Sequence, residues 1–288
     1  MKTLVISLAV LASLGSAAAA RPIRVVAAES VYGDIARQIG GARVEVTSIL
    51  TNPDQDPHLF EASPQTARAL SAADVVIANG AGYDSWMEKL LAAASAPGRR
   101  EISVGALAGA KPGDNPHLWY APAHVKAAAH ALAQNFAAAD PAGAADYAAN
   151  EAAFLAAMHP LDEAFAVLRR KYEGVPVAAS EPVFGLAAEA IGLDMREQKF
   201  ALAVMNDAEP SPSDVATFET DLKGRKLRAL IYNSQASEPA VERLVALAKA
   251  NGVPVVGVTE TEPPGMRYQD WVKGELDALD GALGASVN

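Results

Sequence analysis

The stretch Pro176-Val-Ala-Ala-Ser-Glu-Pro-Val-Phe-Gly-Leu-Ala-Ala-Glu-Ala-Ile191 decides the architecture of this chain. It reads as a short apolar strand (Pro176–Ala179), a polar turn (Ser180-Glu181-Pro182) and a helix (Val183–Ile191). A strand that feeds a helix is the first half of a crossover, and crossovers join parallel strands. The same alternation runs outward in both directions. Downstream lie a helix over Ser211–Leu222, a strand at Ala229–Tyr232, a helix over Glu238–Ala250, a strand at Val253–Val258 and a closing helix from Tyr268. Upstream, Ile23–Ala27 and Val44–Leu50 read as strands around a helix near Val31–Ile39. Ser63-Pro64 is an N-cap and first-turn pair, and further strands fall at Val75–Ala78 and near Ile102–Val104 around a helix over Asp84–Ala94.

Alternation of this kind predicts an α/β fold of two lobes, each a parallel sheet flanked by helices. The expected lobes are residues 21–140 and 173–288. Between them, residues 141–172 carry only Gly143 and Pro160 as breakers. They read as one long rigid joining helix kinked near Pro160, or as two helices meeting there. Ligands of such sheets bind beyond the carboxyl ends of the strands, which places a site in the cleft between the lobes.

Residues 1–20 have the order of a cleavable signal peptide: Lys2, the apolar stretch Leu4–Leu14, then Ser16-Ala-Ala-Ala-Ala20 before Arg21. The apolar stretch is too short to span a bilayer, which takes about 20 residues. With no cysteine in the chain, neither a disulfide nor a thiol-anchored lipid is expected. The expected location is therefore the periplasm, without membrane insertion or lipid anchor. A net charge of −10 argues against nucleic-acid partners and suits the attraction of cations.

Two of the five histidines stand in near-duplicate settings: Asp56-Pro57-His58-Leu59-Phe60 followed by Ser63-Pro64, and Asn115-Pro116-His117-Leu118-Trp119 followed by Ala121-Pro122. The first proline of each restricts its own φ and that of the residue before it; the second suits a following first helical turn. A histidine held between such points has little freedom left to lose, as a metal ligand requires. Glu181 follows one late strand and Glu260 another, both at carboxyl ends, and Glu262 competes with Glu260 in the same loop. Asn233-Ser234-Gln235 ends a further strand and is placed to support such a site from behind. His124, His130 and His159 fall on Ala-rich helices and are expected to be exposed.

With these residues in view, the chain resembles the solute-binding proteins of zinc and manganese ABC importers. The resemblance rests on Asp56-Pro57-His58 with Ser63-Pro64, Asn115-Pro116-His117-Leu118-Trp119, Ala179-Ser180-Glu181-Pro182-Val183-Phe184-Gly185-Leu186, and Glu209-Pro210-Ser211-Pro212. It implies two α/β lobes, a long joining helix and a metal between the lobes, with His58, His117, Glu181 and Glu260 as its ligands. The family more often has aspartate at the last position. It also implies a monomeric receptor that hands Mn2+ or Zn2+ cargo to a membrane permease with a cytoplasmic ATPase. Glutamate at the third position, and the absence of a His-rich stretch before His117, point toward manganese at least as much as zinc. Two other classes stand beside this reading: a metal-dependent hydrolase, and a non-metal solute receptor or adhesin. Four protein ligands leave no open coordination position, and the chain has no H-E-x-x-H, so an enzyme is not expected.

Overall fold

The computed structural model describes residues 21–53, 60–94, 96–111, 113–206, 208–235 and 239–285. The first lobe runs β1 (Ile23–Glu29), α1 (Ser30–Gly40), β2 (Val44–Leu50), α2 (Pro64–Ala72), β3 (Val75–Ala78), α3 (Ser85–Ala93), β4 (Arg100–Ser103), α4 (Val104–Ala108) and α5 (Pro122–Ala139). Next come α6 (Ala144–Ala157) and α7 (His159–Tyr172). The second lobe runs β5 (Pro176–Ala179), α8 (Gly185–Ile191), β6 (Asp194–Arg196), α9 (Gln198–Met205), α10 (Pro212–Lys223), β7 (Leu230–Asn233), α11 (Pro239–Ala250), β8 (Val255–Val258) and α12 (Tyr268–Ala285).

Both lobes hold a four-stranded, all-parallel sheet with the same strand order: β2-β1-β3-β4 and β6-β5-β7-β8. In each, the chain moves to one edge and then crosses back, so a topological switch point lies between β1 and β3 and again between β5 and β7. Crevices at the carboxyl ends open there. Strands covered on both faces read as continuous apolar runs, and Val75, Val76 and Ile77 of β3 are fully buried. Local chemistry sets the helix starts. Ser63 and Thr66 form a reciprocal capping box ahead of Pro64, an arrangement whose cap is worth about 1 kcal/mol. Ser211 accepts from the Asp214 backbone N–H ahead of Pro212. Helix α8 ends on Gly192, whose φ of 81° is the left-handed value that glycine adopts without a Cβ clash.

The joining segment is helical almost throughout, but in pieces. A 3-10 turn (Pro141–Gly143) precedes α6, and α6 and α7 abut at Met158. Pro160 has no N–H to continue the ladder, which accounts for the break. The two helices serve different lobes: α6 packs on α1 and α5, α7 on α8 and α12. What stiffens the molecule is the core itself. One apolar cluster runs without interruption from Val25, Ile35 and Val75 through Trp119, Tyr120 and Phe165 to Phe184, Ile231 and Trp271, crossing both lobes. The strand β6 carries no apolar run in the sequence, unlike the helix α9 beside it, whose Phe200, Ala201 and Val204 are buried. Asp194-Met195-Arg196 is a three-residue edge strand with polar ends, recognisable only through its pairing with β5.

Hydrogen bonds cross the lobes as well. The Tyr268 hydroxyl donates to the Trp119 carbonyl, and the Tyr268 backbone N–H, at the start of α12, donates to Asp34 of α1. The Tyr120 oxygen lies 2.7 Å from the Thr259 carbonyl and 2.6 Å from Oε2 of Glu275. A carbonyl only accepts, so the single phenolic hydrogen goes to Thr259. Glu275 must then donate back as a neutral acid. Burial pushes its carboxyl up from the usual 4.5 to about 7, consistent with that assignment. Oε1 of Glu275 accepts from the Thr259 backbone N–H and the Trp271 indole.

A carboxyl raised by folding stabilises fully below its unfolded pKa, and that contribution is lost as pH rises toward the folded value. Glu275→Gln keeps the shape and can donate to Tyr120 at every pH. Urea unfolding should therefore show the variant gaining on wild type as pH rises from about 4.5 to about 7. A difference independent of pH would show that Glu275 ionises normally.

Candidate metal centre between the lobes

His117 is fully buried, and its loop is fastened from below. Asn79, directly after β3, donates from Nδ2 to the Pro116 carbonyl at 2.7 Å and accepts the Tyr32 hydroxyl on Oδ1 at 2.6 Å. The turn at Asn79-Gly80 is held in turn by Asp84, whose two carboxylate oxygens accept the backbone N–H groups of both residues. Glu29, the last residue of β1, is buried beside Asp84; burial first, and the Asp84 charge second, push its carboxyl well above the usual range. The first lobe thus supports the His117 loop at its own switch point.

The imidazole orientation is determined by Asn115. Its Nδ2 donates to the Pro182 carbonyl at 2.8 Å, which turns Oδ1 toward His117. Oδ1 accepts from both the backbone N–H (3.0 Å) and Nδ1 (2.8 Å) of His117. Nδ1 therefore carries a hydrogen, so that in the neutral imidazole Nε2 presents the lone pair, the arrangement a metal-binding histidine needs. Nε2 lies 3.3 Å from Oε2 of Glu260 in the other lobe. Trp119 and Tyr83 enclose the ring edge-on, with centroids 5.5 and 5.9 Å away.

Glu260 is buried in the loop after β8 and is held at several points. The Tyr83 hydroxyl donates to its Oε2 at 2.8 Å, and Asn233 Nδ2 donates to its Oε1 at 2.7 Å. Gln235 Oε1 accepts the backbone N–H groups of Glu260 and Thr261. Glu181, 4% exposed after β5, is reached through the same Asn233, whose Nδ2 is 3.4 Å from its Oε2. Three of the four residues singled out from the sequence are thus buried, His117 facing Glu260 directly and Glu181 linked to Glu260 through Asn233; His58, with Asp56, Pro57 and Leu59, lies outside the described residues. Among the described residues, no three histidine, aspartate or glutamate side chains converge tightly enough to form a metal shell by themselves.

Glu262 turns elsewhere. Its carboxyl meets Asp34 and Arg37 of α1, and burial followed by the Asp34 charge pushes it up to about 9. It lines a separate pocket with Ser30 and Arg267. The competition between Glu260 and Glu262 comes down to side-chain direction: they share a loop, but Glu260 turns to Tyr83 and Asn233 and Glu262 to Asp34 and Arg37. Of the other histidines, His130 is 60% exposed on α5 and pairs with Glu151, and His159 is exposed. His124 departs from expectation: it is half-buried under the Leu118 turn, and burial lowers its pKa. Tyr83 was not singled out by the sequence. A tyrosine in a Gly-Ala-Gly-Tyr loop has no local signal, and its role appears only when β8 is brought across the cleft.

A profile of the family described as "Zinc-uptake complex component A periplasmic" (ZnuA) matches residues 25–282. The manganese-binding lipoprotein MntA of Halalkalibacterium halodurans is 25% identical over 273 residues, covering 91% of this chain and 88% of its own. The iron ABC transporter substrate-binding lipoprotein MtsA of Streptococcus pyogenes is 25% identical over 285 residues, covering 91% and 89%. Among solved structures, the periplasmic zinc-binding protein TroA of Treponema pallidum superposes with a TM-score of 0.78 at 20% identity, covering 92% of this chain and 99% of its own. FpvC of Pseudomonas aeruginosa in complex with Mn2+ gives 0.74 at 20% identity, covering 92% and 100%. The structures share the fold. The profile match extends over nearly the whole described chain, and the chain belongs to the ZnuA family of periplasmic zinc-uptake components.

Proposed function

We propose that this protein is the metal receptor of an ABC importer, binding a divalent transition metal, Mn2+ or Zn2+, between its lobes and delivering it to a membrane permease driven by a cytoplasmic ATPase. The observation that carries this reading is the buried contact between His117 Nε2 and Glu260 Oε2, made across the two lobes with the histidine tautomer set by Asn115. A lone-pair nitrogen facing a carboxylate oxygen at 3.3 Å, both fully buried, is a pairing that a divalent cation would enter favourably. Glu181 and His58 complete the proposed ligand set. Relatives whose names give manganese or iron as cargo, and solved neighbours named for zinc, manganese, cadmium or nickel, support the cargo class.

Both cargoes fit the donor set. Imidazole nitrogen suits zinc and carboxylate oxygen suits manganese, while the Irving–Williams order favours zinc in any such site at equilibrium. The receptor reading is favoured over a hydrolase because His117, Glu181 and Glu260 are buried and bonded to neighbours that orient them. Among the described residues no helix is long and apolar enough to cross a membrane. The relatives are named lipoproteins, whereas the 288 residues contain no cysteine to carry a thioether lipid. We place the working form in the periplasm, acting as a monomer.

Calorimetric titration of the metal-free protein with Zn2+ and with Mn2+ tests the assignment. His58→Ala, His117→Ala and Glu260→Gln should each lower affinity by at least about tenfold, since each deletes one metal–protein bond. Glu262→Gln should leave affinity within about threefold, because that carboxyl faces Asp34. Equal losses at Glu260 and Glu262, or unchanged binding in both histidine variants, would overturn it.

Loading should also leave the lobes nearly where they are. The shared core and the cross-lobe bonds of Tyr268 and Tyr120 oppose a wide hinge. Solution scattering of the metal-free and loaded protein should give nearly equal radii of gyration, and a large contraction would contradict the rigid-core account.

A further inference from the structure

We infer that Asn115 makes the orientation of His117 depend on the contact between the lobes, so that a small shift at Pro182 loosens the hold on the cargo. This deepens the receptor reading and rests on it. Asn115 and His117 belong to the loop between α4 and α5 of the first lobe, whereas Pro182 follows Glu181 in the turn after β5 of the second. The Asn115 amide lies between them, and its two ends serve different lobes.

On its own lobe, Oδ1 accepts the backbone N–H of His117 at 3.0 Å and Nδ1 at 2.8 Å. The backbone bond, made two residues along the chain, is a local turn contact that asparagine forms without tertiary help. It keeps the oxygen near the loop but leaves the amide free to swing about that one point. The far end limits the swing: Nδ2 donates to the Pro182 carbonyl at 2.8 Å, a partner that only accepts. With both ends held, Oδ1 stands where it also receives Nδ1, and the ring turns Nε2 toward Glu260 at 3.3 Å.

The second lobe is shaped to seat this amide. A Cβ built on Gly185, the first residue of α8, would stand 2.6 Å from Asn115 Nδ2, too close for any real side chain. The helix thus begins with a weak helix former at the point where the amide enters. A hydrogen bond of this kind is lost beyond about 3.5 Å, so a displacement of about 1 Å between the lobes at Pro182 breaks it. The shared core allows a movement that small, and no hinge is needed. A permease that draws the lobes apart by this much on docking would free first the amide and then the imidazole, weakening one metal bond.

The test alters the second lobe and reads the histidine of the first. Gly185→Ala places a methyl group against the amide nitrogen and favours the helix that it starts. Beyond its chain neighbours and its own helix, the nearest atoms to that methyl belong to Asn115 and Pro182, not to a proposed ligand. The displaced amide has room, since Asn115 borders a cavity of about 510 Å3 with Leu186 and Leu202. Metal-free mature protein is titrated with Zn2+ and with Mn2+ separately. Gly185→Ala should bind both at least about threefold more weakly, and Asn115→Ala at least about tenfold. Added to Asn115→Ala, Gly185→Ala should cost nothing further; added to His117→Ala, neither change should. A general effect on folding would instead lower affinity alike in every background. Wild-type affinity in Gly185→Ala, its failure to fold, or a loss that persists without the Asn115 side chain or the His117 imidazole would overturn the link. Absence of Zn2+ and Mn2+ binding by the wild type would overturn the receptor reading itself, and the inference with it.

Discussion

Everything at the centre of this molecule depends on two parallel sheets pointing their carboxyl ends at each other across a core they share. Parallel strands leave their helix-bound turns on one edge, so each lobe supplies only one rim of polar residues. The apolar cluster that continues from Trp119 and Tyr120 to Phe184 and Trp271 keeps the two rims in contact. Without that continuity, His117 and Glu260, 143 positions apart in sequence, would be isolated buried polar groups with nothing to offset their desolvation.

The rims are held by asparagines and glutamine rather than by ion pairs. Asn79 holds the Pro116 carbonyl, Asn115 orients His117, Asn233 spans Glu181 and Glu260, and Gln235 clamps the Glu260 backbone. In each of the four, a partner of fixed polarity decides which end of the amide points where. Amides suit this position because they donate and accept without adding charge. A lysine or arginine here would compete with an incoming cation, and an added carboxylate would repel those already present. The carboxyls removed from the candidate metal site, Glu29, Glu262 and Glu275, are all pushed up by burial. The interior around the cleft is thereby less negative than its count of acids suggests.

Rigidity follows from the same construction. The segment joining the lobes is broken at Met158 by the missing N–H of Pro160, and α6 and α7 each pack on their own lobe. A jointed connection of this kind does not by itself prevent bending. Resistance comes from the buried tyrosines Tyr120 and Tyr268, whose hydroxyls bond backbone carbonyls across the lobe boundary, and from Asp34 of α1, which accepts the first backbone N–H of α12.

Much of this was legible in the chain. Strands β3 and β5 lie where apolar runs and turn residues put them, because a buried parallel strand is the simplest pattern a sequence can carry, and the edge strand β2 and the start of α12 also fall where expected. Pro-His in a bracketed loop and an acid directly after a strand are equally local, so His117, Glu181 and Glu260 could be singled out without coordinates. What the sequence did not hold was direction and distance. It placed Glu260 and Glu262 in one loop but not on opposite faces of it, gave no signal for Tyr83, and showed β6 only as three residues of mixed polarity. Those depend on which strands become neighbours and which way a side chain leaves its loop. Only the packing of one lobe against the other decides them, since that is where the energy of burial is settled.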